Sequence, residues 1–248
     1  MNTIFVCRDG RTEQVTRIDR SWLGASAGAF LWVDLEAPSI PESLLLRDTF
    51  AFHGLAVEDA LSAGQTPKLE AYDGYLFAVV GGASDEVDCF VGPTFLVTVH
   101  WSASTAIAEL ADNARHNAQW MSERSVGLFH RVTDAVSDGF RPRLQVLSGR
   151  ADRLEAALFD KPSPALVRDL LSIRAETFAL GSTCRAQRGA VDRLARREFV
   201  DISTEMAWRF RDVDDHLVRT ADEVSALQDR LAGLLTAASG LAAGRRWL

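Results

Sequence analysis

Phe52-His53-Gly54-Leu55-Ala56-Val57-Glu58-Asp59-Ala60-Leu61 is followed, three residues later, by Gln65-Thr66-Pro67-Lys68-Leu69-Glu70-Ala71-Tyr72-Asp73-Gly74-Tyr75-Leu76-Phe77. The first segment sets an adjacent acidic pair, Glu58-Asp59, among small and apolar residues. Taken structurally, these are carboxylates on a solvated helix face near its dipole-favoured end. The second segment runs into aromatic and β-branched residues over 72–80, bounded by Gly74 and Gly81-Gly82, the mark of a strand. Helix and strand signals so close together make the first half of the chain a mixed α/β unit.

The flanks agree. Thr3-Ile4-Phe5-Val6-Cys7 reads as a strand ending in a polar turn at 8–11, and Ala29-Phe30-Leu31-Trp32-Val33-Asp34-Leu35 as a strand buried on both faces. Pro38 and Pro41 precede an amphipathic helix expected over 42–52. A polar turn is expected at 84–88, a strand at 94–100 and a helix over 105–120. After Met121 the period changes. Leu128, Val132, Val136, Leu144, Leu147, Leu154 and Leu158 mark one long helix with a kink expected at Arg141-Pro142. Lys161-Pro162-Ser163-Pro164 breaks it, with Ser163 as N-cap and Pro164 at the first position of a second helix over 165–197. A third spans about 201–243, on the order of 65 Å, so part of it is expected to pack outside its own chain. The fold class expected is α+β/α/β: an N-terminal mixed-sheet sandwich over 1–120, then a long-helix region over 121–248. That region holds two antiparallel helices and an extended stalk at about 200–243.

The 248 residues carry a net charge of −7, unevenly spread. Residues 1–120 hold 16 acids and 7 bases, a net −9, against +2 in the remainder. Such a surface repels phosphates and suits cations, so no nucleic-acid partner is expected. Cys7, Cys89 and Cys184 are too far apart in sequence for a C-x-x-C zinc site and are expected to be incidental thiols. No phosphate-binding glycine loop, nucleophile elbow or H-E-x-x-H helix is present, which leaves no enzyme reading. The longest charge-free run, 231–244, rises about 21 Å as a helix against roughly 30 Å of bilayer hydrocarbon, and the chain is expected to be soluble.

The second acidic cluster is Asp212-Val213-Asp214-Asp215-His216. Asp212 and His216 stand at i,i+4 on one helix face, and Asp215 neighbours Asp212 at i+3. Carboxylates in an incompletely filled site suit hydrated Mg²⁺, and an imidazole adds affinity for Co²⁺ or Zn²⁺. The bland reading is an exposed charge run partly neutralised by Arg209, Arg211 and Arg219.

Residues 52–61 and 65–77 resemble the cytoplasmic domain of CorA-type magnesium transporters, whose pattern is roughly H-P-L-x-L-E-D followed by Q-R-P-K-x-E-x-Y-x-x-Y-x-F. Gly54 and Thr66 depart from it. Trp32-Val33-Asp34-Leu35 and Phe95-Leu96-Val97-Thr98-Val99-His100 fit the flanking strands, and 209–222 resembles the stalk helix. The resemblance implies a pentamer at the cytoplasmic face of the cell membrane, in which Asp59 of one subunit and Asp212 of the next share a regulatory Mg²⁺ with Glu58, Asp215 and His216 nearby. Bound ions would favour the closed state. It also implies that the membrane helices and their Gly-Met-Asn signature are not in this chain. A zinc-transporting branch of the superfamily and a helical scaffold without transport role are the alternative readings.

Overall fold

The computed structural model describes residues 2–24, 28–160, 163–199 and 201–244. Seven strands form one mixed sheet: β1 (Asn2–Arg8), β2 (Arg11–Val15), β3 (Phe30–Glu36), β4 (Lys68–Tyr72), β5 (Tyr75–Gly81), β6 (Glu86–Val91) and β7 (Phe95–His100). Their order is β2-β1-β3-β7-β6-β5-β4, with β3 and β7 parallel and every other pair antiparallel. Two short helices, α1 (Ile40–Asp48) and α2 (Gly54–Ala60), connect β3 to β4. After β7 come α3 (Thr105–His116), α4 (Ala118–Ser122), α5 (Arg124–Asp138), α6 (Phe140–Asp160), α7 (Pro164–Ala195) and α8 (Thr204–Gly244).

Alternation along the strands divides the core in two. Val33, Leu35, Phe77, Val79, Phe90, Val97 and Val99 face Leu46 of α1 and Ala56, Val57 and Ala60 of α2. Trp32, Ala78, Val80, Cys89 and Leu96 point the other way and join an apolar cluster that continues through α3 and α5 to Leu234 and Ala238 of α8. The central β3 is buried on both faces, as its continuous apolar run requires. Its buried acid, Asp34, is held by a polar chain: Trp32 Nε1 donates to Thr98 Oγ1 at 3.1 Å, Thr98 donates to Asp34 Oδ1 at 2.6 Å, and His100 Nε2 lies 3.4 Å from the same oxygen.

The second and third of the expected long helices, α7 and α8, begin and end within three residues of the expected bounds. Ser163 Oγ accepts from the Leu166 N–H at 3.4 Å and Pro164 begins α7, whereas Lys161 and Pro162 lie outside the described residues. Helices α7 and α8 run antiparallel, as the pairs Arg188–Asp214, Cys184–Leu217 and Thr177–Gln228 progress in opposite directions. The side chain of Gln187 ties this hairpin to the sheet, its Oε1 accepting from the Gly81 N–H at 3.1 Å.

Several expectations are corrected. The turn expected at 84–88 is confined to the residues before Glu86: β6 starts there, and Asp88 is a buried strand residue. The first helix ends at Asp48, because Ala51 takes a left-handed φ of 56° and Phe52 leaves to stack on Phe90. The helix expected over 105–120 breaks at Asn117, and the one expected through 128–158 breaks at Gly139, which puts Pro142 in the first turn of α6 where its missing N–H costs nothing. Along α8 the inward face between Ala207 and Ala238 is covered within the chain and needs no second molecule, because α7 is itself 32 residues long.

Candidate metal centre

The first half of the candidate site is α2. Its start is fixed from both sides: His53 Nδ1 accepts from the Leu55 N–H at 3.3 Å, and Tyr75 Oη accepts from the His53 N–H at 2.9 Å. Gly54 occupies the first helical position with nothing within 4 Å of a would-be Cβ, so the family's proline there has the room and the backbone it needs. Ala56, Val57 and Ala60 turn inward, and Trp101 Nε1 donates to the Ala60 carbonyl at 3.2 Å. Leu55 and Glu58 are left exposed, with Asp59 half-buried between them and the sheet.

Glu58 and Asp59 lie in the last turn of α2, not at a dipole-favoured end. Negative charge is disfavoured there, and the compensation at Asp59 comes from β4. The Lys68 ammonium donates to Asp59 Oδ2 at 2.6 Å and to Glu70 Oε1 at 2.8 Å, while Tyr72 Oη donates to Glu70 Oε2 at 2.9 Å. Partial burial pushes the Lys68 ammonium down in pKa, and its bonds to the two carboxylates outweigh that and hold it above the ordinary lysine value.

The same sheet face carries two further acids. Lys68 is registered opposite Val79, and Val79 opposite Asp88, so the lysine and Asp88 lie in one row across β4, β5 and β6. Asp88 is 1% exposed and its Oδ1 has no hydrogen-bond partner. Burial pushes its carboxyl up to about 8, helped by the charges of Glu86 and Asp59 and opposed by Lys68. Glu86, also raised by burial, accepts from the Gly64 N–H at 3.1 Å. Reading the sequence as a turn at 84–88 hid this group, and only the strand register brings it level with Lys68.

The second half is the outer face of α8. Phe210, Val213 and Leu217 are buried, which turns Asp212, Asp215 and His216 to solvent. His216 Nε2 lies 4.0 Å from Asp212 Oδ2, the i,i+4 contact expected. Trp208, one turn earlier on the same face, is 67% exposed. Asp214 points elsewhere, 3.4 Å from Arg188 Nε. Arg209 does not neutralise the cluster either: it bonds Glu205 at 2.9 Å and Glu123 at 3.5 Å.

The two halves belong to opposite faces of the sheet, α2 with one apolar cluster and α8 with the other. Among the described residues, no group of three or more His, Cys, Asp or Glu side chains is assembled within the chain for a metal ion. The donors themselves, four carboxylates and one imidazole, suit a hydrated divalent cation, but only as two partial sets.

A mixed sheet feeding a bundle of long helices is a fold shared with solved domains of ion-transport proteins. The chain superposes on the soluble domain of CorA from Methanocaldococcus jannaschii with a TM-score of 0.80 at 14% identity, covering 94% of this chain and 95% of that one. It superposes nearly as well on the cytoplasmic domain of ZntB from Vibrio parahaemolyticus, at a TM-score of 0.78, 11% identity and 98% coverage of both. In sequence it is 28% identical over 212 residues to YfjQ of Bacillus subtilis, covering 83% of this chain. With the cobalt/magnesium transport protein CorA of Thermotoga maritima it is 24% identical over 197 residues, 75% of this chain. The chain spans 66% and 56% of the lengths of these two relatives.

The profile of the family described as "CorA-like Mg2+ transporter protein" matches residues 27–245, and the chain belongs to that family. The family is one of transporters, not of enzymes. Among the described residues no helix is long and apolar enough to cross a membrane.

Proposed function

We propose that this chain is the ion-sensing domain of a CorA-type divalent cation transporter, lying at the cytoplasmic face of the membrane. A regulatory Mg²⁺ or Co²⁺ binds between subunits, with Asp59 of one copy and Asp212 of the next as the main donors and Glu58, Asp215 and His216 beside them. The observation that carries this reading is the matched incompleteness of the two surfaces. Each presents carboxylates to solvent, and each has a large exposed apolar residue one turn before its aspartate, Leu55 before Asp59 and Trp208 before Asp212. Bound Mg²⁺ screens carboxylates that otherwise repel, and so favours the closed assembly.

Weak sites suffice for this. A site at ten times its dissociation constant contributes about 1.4 kcal/mol. Five such sites in a pentamer give about 7 kcal/mol, more than the ~5.5 kcal/mol that moves a two-state equilibrium from 1:99 to 99:1.

The test is Asp59→Asn with Asp212→Asn, followed by Mg²⁺-dependent thermal shift and sedimentation. The double variant is expected to lose the Mg²⁺ response and keep its fold, since both side chains are at least partly exposed. A response equal to the parent's would favour a helical scaffold without a transport role. The likeness to a ZntB domain supports a second reading, a zinc-transporting branch. Shifts with Zn²⁺ alone, and none with Mg²⁺ or Co²⁺, would select it.

A further inference from the structure

The candidate donor Asp59 already has a cation. Lys68 Nζ sits 2.6 Å from its Oδ2 and 2.8 Å from Glu70 Oε1, with the lysine side chain only a third exposed. We propose that Lys68 is an internal competitor that occupies Asp59 in the ion-free state and sets the divalent concentration at which the site fills.

The argument is electrostatic. An ammonium is a compact point charge with three donors, and at this distance it takes up the carboxylate oxygen that a dication would need. Its ammonium lies over the Phe77 ring, 5.8 Å from Nζ to the ring centroid, a cation–π contact that helps hold the head beside Asp59. A divalent ion that takes Asp59 must displace the lysine or sit beside it and be repelled by it. The strand row gives the displaced ammonium a second anchor. Asp88 lies two strands away, about 10 Å between backbones at ordinary strand spacing, with a buried carboxyl oxygen that has no partner and could accept from the ammonium. Glu70 holds the lysine during the exchange.

The inference rests on the ion-sensing reading and adds its threshold. The experiment is a Mg²⁺ titration followed by thermal shift and calorimetry on the parent, Lys68→Met, Lys68→Gln, Lys68→Arg and Asp59→Asn. Removing the charge with Met or Gln is expected to lower the Mg²⁺ midpoint about fivefold, the shift that a partly exposed ion pair of ordinary strength corresponds to. Lys68→Arg keeps the charge and is expected to stay near the parent. Midpoints for both neutral variants at or above the parent's, while Asp59→Asn still weakens binding, would overturn the competitor role and leave the ion-sensing reading standing. An Asp59→Asn midpoint equal to the parent's would overturn both.

Discussion

Asp88 stands in the middle of the sheet with a carboxyl that keeps its proton to about 8, against 3.8 for an ordinary aspartate. Between those values the folded state binds a proton that the unfolded chain has released. By linkage, this group's contribution to stability is fully present below about pH 4 and is lost as pH rises through about 8. Asp88→Asn keeps the shape and removes the charge. Urea unfolding at about pH 5, 7 and 9 is therefore expected to give a variant-minus-parent difference that grows with pH, and a difference constant across that range would contradict the assignment. At this scale the sequence was only partly readable. Asp212 and His216 were placed together by helical spacing alone, because i,i+4 is a local rule. The Lys68–Asp59 pair spans nine residues and a change from helix to strand, and the Lys68–Asp88 row depends on two strand registers, so neither has a local signature.

Strands β1, β3 and β7 were legible from their apolar runs, and α7 from its long period. Leu170, Ile173, Thr177, Leu180, Cys184, Gln187, Val191 and Leu194 of α7 are all buried and fall at alternating steps of three and four. A signal repeated over so many turns survives local exceptions. Strand β2, Arg-Thr-Glu-Gln-Val, has no such signal: it is a polar edge strand held by main-chain pairing to β1. Strand β6 was masked by its acids. The α7–α8 contact also has a point of close approach that composition does not reveal. A Cβ at Gly181 would lie 2.9 Å from Val224 Cγ1 and 3.0 Å from Gln228 Nε2. Gly181→Val is expected to push the two helices apart and cost about 1–3 kcal/mol, read as a lowered urea midpoint with unchanged slope. A neutral result would mean that the hairpin is loosely packed there.

Across the whole molecule, net negative charge concentrates in the half that holds α2, where bases are few, and the exposed Trp208 of α8 lies far along the chain from that half. Trp208 has little to do for the fold. Trp208→Ala is expected to change unfolding stability by no more than about 0.5 kcal/mol. An aromatic anchor at a contact between copies is worth considerably more than that, so the same variant is expected to weaken Mg²⁺-dependent self-association in sedimentation. Unchanged association would remove this face from the contact.

The three-four spacing along α7 has a geometric consequence for that face. A straight helix drifts about 20° per seven residues relative to such a seam, so two helices that keep the seam in register coil around one another with a left-handed pitch. The outer stripe that carries Trp208, Asp212 and Asp215 is carried round with the coil. In the proposed contact between copies, a straight partner surface would fall out of line with that stripe by about 20° for every seven residues, which limits the length over which the two could stay in contact.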